Sequence, residues 1–177
     1  EAVALILRHT PAPVVKNKEL GDAFGAVLAS DAAASFPMPL ADNSAMDGFV
    51  IRARDAAAAS AAKPVLLRIA GTLKAGDGRR LRLAPGTALR IMTGAFIPRN
   101  GDAVIPKEDA RIHGGCLRVD CPARIGRHIR RKGEEVRKGK VLLKKGTPLD
   151  PAAVGVMASF GFGEVKVFET PKVSVLA

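Results

Sequence analysis

The sequence contains no Trp and no Tyr, and its 177 residues include only seven Phe. A core must therefore be built from aliphatic residues and Ala, and nucleic-acid recognition that stacks bases on aromatic platforms has little to work with. Histidine is scarce as well. The three present, His9, His113 and His128, stand in unrelated contexts, so no Ser-His-Asp arrangement is legible. The two cysteines, Cys116 and Cys121, have no His or Cys partner nearby at zinc spacing and lack the short return spacing of a redox pair. They read as reduced strand residues of a cytosolic protein. No signal peptide is visible and no apolar run approaches the ~20 residues of a membrane span, so a cytoplasmic protein without a membrane partner is expected. Phosphate-cradling glycine motifs of the Walker or dinucleotide type are also missing.

What the chain has in excess is positive charge. Lys and Arg number 28 against 17 Asp and Glu, a formal net charge of +11. Ten of the basic residues fall between Arg124 and Lys145, facing only Glu134 and Glu135 among the acids. This density suits either an anionic partner or a solvated basic surface. Gly126, Gly133, Gly139 and Gly146 interrupt it, as turns between short strands would, unlike an unbroken basic arm. The composition, 47% hydrophobic and 25% charged, is that of a globular domain.

Along the chain, Glu1 to Arg8 reads as the tail of a helix that Thr10-Pro11-Ala12-Pro13 breaks. Leu20, Phe24, Val27 and Leu28 recur at helical spacing and predict a second helix over Glu19 to Ser30. Phe36-Pro37-Met38-Pro39 starts an extended segment. Short β-favouring runs follow at Phe49–Arg52, Val65–Ala70, Ala88–Met92, Ala103–Ile105 and Leu117–Val119, separated by glycine-containing turns. Asp55 to Ala62 is an Ala-rich insertion, a short helix or a loop. Asp150-Pro151 supplies an N-cap and a first-turn Pro for a helix over Ala152 to Ser159, closed by Gly161. Strands are expected again at Val141–Leu143, Val165–Phe168 and Val173–Leu176.

Two segments gather small polar residues beside apolar strands. Asp42-Asn43-Ser44-Ala45-Met46-Asp47-Gly48 is either an Asx-rich turn or a group that orders a cation or an anionic ligand. Arg90-Ile91-Met92-Thr93-Gly94-Ala95 ends a strand with a hydroxyl and a glycine that lets a ligand approach the backbone.

These residues, followed by Phe49, closely resemble the signature loop of the molybdopterin molybdenumtransferases, the MoeA and gephyrin E-domain family. The second segment with Pro98 and Gly101-Asp102-Ala103-Val104, the basic turn Arg130-Arg131-Lys132-Gly133-Glu134, and Asp150 to Gly161 resemble further family patterns in the same order. Pro171-Lys172-Val173 resembles the entry to a next domain. The resemblance implies insertion of molybdate into adenylylated molybdopterin with release of AMP, Mg2+ as cofactor and a homodimer in the full-length enzyme.

It further implies a mixed α/β fold, in which a β-rich, barrel-like domain over 36–137 is inserted in a small α/β linker domain made of 1–35 and 138–170. Residues 171–177 would be the first strand of a third α/β domain at which the chain is truncated, so that it would be a partial enzyme. Carried over by position, Asp47 and Thr93 would be catalytic, Asp42, Asn43, Ser44 and Arg130 would bind substrate, and Glu135 would touch metal. Departures are Phe49 where Tyr is usual, His128 where Asn is frequent, and Glu135 where a shorter carboxylate is common. The competing readings are a scaffold or polyanion-binding module without catalysis; partnership with nucleic acid is not expected.

Overall fold

The computed structural model describes residues 2–78, 81–173 and 175. In chain order the elements are α1 (Ala2–His9), β1 (Val15–Glu19), β2 (Val27–Leu28), β3 (Ala32–Ala33), β4 (Asn43–Ser44), β5 (Gly48–Ile51), β6 (Val65–Leu73) and β7 (Thr87–Ile91). Then come β8 (Ala103–Pro106), β9 (Arg111–His113), β10 (Cys116–Val119), β11 (Ile129–Arg130), β12 (Val141–Leu143), α2 (Pro151–Ser159) and β13 (Glu164–Phe168). They form two compact units: one from Glu1–Phe36 with Arg137–Ala177, the other from Pro37–Val136. The fold is mixed α/β and rich in strands.

In the first unit, β13 lies between β1 and β2, antiparallel to both. Its sequence Glu-Val-Lys-Val-Phe alternates, so Val165 and Val167 enter the core while Glu164 and Lys166 face outward. Leu20, Leu28, Leu149, Ala153 and Met157 complete that core. α2 begins as expected: the Asp150 carboxylate accepts from the Ala153 N–H at 2.7 Å, and Pro151 occupies the first turn. Thr10 ends α1 by donating its hydroxyl to the Ile6 carbonyl at 2.9 Å.

The helix expected over Glu19 to Ser30 does not form. Glu19 closes β1, Leu20–Asp22 is a single 3-10 turn, and Val27–Leu28 is β2, paired with Phe168 and Val167. Gly25 sits at φ +76°, a left-handed conformation that stops a helix, and its N–H donates to the Leu149 carbonyl at 2.9 Å. Pairing with residues more than a hundred positions away outcompetes the local apolar period. Phe24, part of that helical spacing, is 67% exposed. The strand expected at Val173–Leu176 includes Ser174 and Leu176, which lie outside the described residues.

The second unit holds a six-stranded sheet in the order β8-β5-β7-β6-β10-β9. All its pairs are antiparallel except β6 with β7. No ladder among the described residues joins β8 to β9, so the sheet is a curled half-barrel with open edges. β5 is buried along its whole length. Phe49 and Ile51 pack with Leu67, Ile105 and Leu117, whereas Val50 packs with Leu83, Ile91 and Val104. The period of two thus feeds two cores, which explains why this strand is continuously apolar.

Candidate functional site

The antiparallel register of β5 with β7 pairs Gly48 with Ile91. Asp47, the residue before β5, therefore reaches Thr93, two residues beyond the end of β7. One carboxylate oxygen, Asp47 Oδ1, accepts from the Thr93 N–H at 2.8 Å and from the Thr93 hydroxyl at 2.7 Å. On the other side of β5, β8 passes so close that a Cβ on Gly48 would lie 2.0 Å from the Ile105 carbonyl oxygen. That approach lets the Lys107 N–H donate to the Asp47 carbonyl at 2.9 Å. Asp47, Phe49, Arg90, Met92, Lys107 and Ile112 are among the residues lining a concavity of about 190 Å³.

The Asp47 carboxyl is held below the ordinary value of 3.8, first by the Thr93 N–H, then by the Thr93 hydroxyl, with attraction to Lys107 and Arg90 adding to both. It is a carboxylate at neutral pH. A carboxylate so stabilised is a weak proton acceptor and a good fixed negative charge.

The first half of the loop forms a second cluster. Asp42 Oδ2 accepts from Arg131 Nη1 at 2.6 Å, Asp42 Oδ1 accepts from the Lys132 N–H at 2.8 Å, and the Arg131 N–H donates to Glu134 Oε2 at 2.6 Å. Burial pushes the Asp42 pKa up, but the Lys132 N–H and the Arg131 guanidinium outweigh it and bring it below the usual range. β4 pairs with β11, so Asn43 stands opposite Arg130 and Ser44 opposite Ile129. Ser44 is 0% exposed, and its hydroxyl donates to the Met46 carbonyl at 2.6 Å. Its backbone is stitched to the other segment: Ser44 N–H to Ala95 O at 3.0 Å and Gly94 N–H to Ser44 O at 2.8 Å.

The seven-residue loop thus divides. Asp47 and Thr93 come together with Arg90 and Lys107, while Asp42 belongs to the basic turn of Arg131, Lys132 and Glu134. Ser44 shapes the loop from inside, Asn43 Oδ1 is buried with no hydrogen-bond partner, and Arg130 is exposed. Glu135 is exposed, its N–H donating to the Met38 carbonyl at 3.1 Å, away from the hydrogen bonds that build either cluster. Among the described residues no group of three or more His, Cys, Asp or Glu could hold a metal ion. The basic run is dispersed: Arg127 turns to Asp109 at 2.9 Å and Arg131 to Asp42.

Arg90 and Lys107 carried no role in the sequence reading. Arg90 stood inside the quoted second segment, and counting two residues back from Met92 along a strand would have placed its side chain near Asp47 only if the β5–β7 register were known. Lys107 had no signal at all. Asp102, part of the same pattern, is structural: its carboxylate accepts from the Ala53 N–H at 2.6 Å.

The described residues thus comprise a half-barrel sheet, in which a clamped carboxylate directly precedes β5, and a separate two-segment α/β unit. The chain belongs to the family described as the MoeA N-terminal region (domain I and II), whose model matches residues 1–161. It is 39% identical over 160 residues to molybdopterin molybdenumtransferase 2 of Mycobacterium tuberculosis, covering 89% of this chain and 39% of the relative. Over 152 residues it is 41% identical to the molybdopterin molybdenumtransferase of Synechococcus elongatus, covering 85% and 38%. Its fold matches the crystal structure of a molybdopterin biosynthesis MoeA protein from Pyrococcus horikoshii with a TM-score of 0.89 at 32% identity, over 96% of this chain and 44% of that one. The chain spans about two fifths of the length of these curated relatives. Its relatives support a role in molybdenum cofactor biosynthesis.

Proposed function

We propose that this chain supplies one wall of an active site that inserts molybdate into adenylylated molybdopterin with release of AMP. The observation that carries the reading is the Asp47 carboxylate, fixed by two donors from Thr93 and flanked in one concavity by Arg90 and Lys107. Thr93 sets the orientation and ionisation of Asp47. Arg90 and Lys107 offset the charge of an anionic phosphoryl or oxyanion group brought beside it. Asn43 and Arg130 would meet the ligand from the β4–β11 side.

Magnesium fits this arrangement in a limited way. Mg2+ is commonly held by one or two carboxylates together with substrate phosphates, and both Thr93 donors go to Asp47 Oδ1 rather than Oδ2. Asp47 would hold the ion, which when bound would neutralise phosphate charge. Glu135 makes no such approach in the described contacts, so its metal role rests on the family pattern alone. The remaining half of the site, like a homodimer and a cytoplasmic location, belongs to the same proposal, since the relatives are more than twice as long. No helix among the described residues is long and apolar enough to cross a membrane.

The test is cofactor formation by the full-length protein from adenylylated molybdopterin, molybdate and magnesium. Asp47→Asn should lower the rate by about a hundredfold or more, the usual cost of removing a positioned charge. A rate within a few-fold of the parent would sink the proposal. Binding of a generic polyanion, expected from the +11 charge alone, should be nearly unchanged in the same variant.

A further inference from the structure

β5 separates Asp47, just before it, from Arg52, just after it, five residues and about 16 Å further along the chain. There a second hollow of about 410 Å³ is lined by Arg52, Arg54, Arg82, Pro85 and Asn100, among others. Arg52 is 6% exposed and its guanidinium lies 3.0 Å from Asp55 Oδ1. The other Asp55 oxygen accepts from the Gly86 N–H at 2.9 Å, so that carboxylate is occupied on both sides. Arg52 Nε is buried without an acceptor, leaving the group with donor capacity unspent.

Arg54 and Arg82 are exposed and make no salt bridge among the described residues. Three arginines thus line one hollow, and among the described residues Asp55 is the only carboxylate in a salt bridge with any of them.

We propose that this hollow is a binding site for a phosphate-bearing small molecule, separate from the Asp47 site. Arginine forks match phosphate oxygens two at a time, and several forks around one hollow suit a diphosphate better than a single carboxylate. The volume is that of a small-ligand site. Leu83, Ala84 and Pro85 supply the remaining wall, and none offers a stacking surface for a base, so recognition is of the phosphates.

The test is calorimetric titration of this chain with inorganic pyrophosphate at constant ionic strength. Arg54→Ala with Arg82→Ala should raise the Kd at least about tenfold, the loss of a charge-assisted pair. Lys138→Ala with Lys140→Ala removes the same charge elsewhere and should change it less than about twofold. Asp47→Asn should leave it unchanged, which separates this site from the proposed active site. Equal weakening by the lysine and arginine pairs would reduce the effect to net charge and overturn the proposal, as would parent-like binding by the arginine variant or no saturable binding by the parent. If the alanine pair melts early, Arg54→Lys with Arg82→Lys keeps charge and stem. That pair should still bind several-fold more weakly because the forks are lost; parent-like affinity would overturn the proposal.

Discussion

At Asp47, a single oxygen receives both donors of Thr93, and the consequence is measurable as an acid titration. The folded carboxyl titrates below the ordinary value of 3.8, chiefly because of the Thr93 N–H and then its hydroxyl. A carboxyl with a depressed folded pKa contributes stability that is fully present above its unfolded pKa. The contribution is lost as pH falls through the lowered folded value. Carbon-13 titration of the Asp47 carboxyl should therefore give a midpoint under 3.8. Thr93→Val, which keeps the N–H and removes the hydroxyl, should move the midpoint upward, and an unmoved midpoint would show that the hydroxyl is not part of the cause. His128 offers a second residue-level prediction. It adopts φ +54°, a left-handed conformation that Asn tolerates better than most side chains. His128→Asn should raise the melting temperature by about 1–3 °C in a thermal scan, the equivalent of roughly 0.5 kcal/mol.

Between elements, the decisive contact is the passage of β8 over Gly48. A methyl group there would overlap the Ile105 carbonyl, so backbone rather than a flexible side chain would have to move. Gly48→Ala should cost about 3 kcal/mol or more in denaturant unfolding and expose Trp-free core to dye binding. Gly25→Ala, where nothing lies within 4 Å, should cost less, about 1 kcal/mol, from the left-handed backbone alone. In α2 the Asp150 side chain satisfies one of the free N–H groups of the first turn. Asp150→Ala should destabilise by about 1 kcal/mol in the same assay.

For the molecule as a whole, the two units each carry their own core. Leu149 is fully buried in the first, with Leu28, Met157 and Val167. Leu149→Ala should lower unfolding stability by about 2–5 kcal/mol while leaving the Asp47 titration midpoint in place. A midpoint that shifted with Leu149 would mean the site depends on packing in the other unit. The charge of +11 acts at this scale too, as attraction for polyanions that weakens with salt. Individual arginines divide that charge among specific partners, Asp42, Asp109 and Asp120, rather than presenting a uniform basic face.

Local chemistry was readable wherever neighbours in sequence decide the outcome. The turns at Pro85-Gly86, Asn100-Gly101 and Gly114-Gly115, the Asp150 cap and the short strands of the half-barrel all lie where side-chain type demands them. The polar loop and the strand end at Thr93 were visible as two separate groups. The register of β5 against β7 and β8 decided that Asp47 meets Thr93, Arg90 and Lys107, whereas Asp42 turns to Arg131. In the other unit, pairing with β13 converted an apolar helical period at Leu20, Phe24 and Leu28 into a turn and a strand, because β13 offers hydrogen bonds from about 140 residues away that no local pattern encodes. Sequence set the chemistry available at each position; long-range pairing chose which of those groups would share a site.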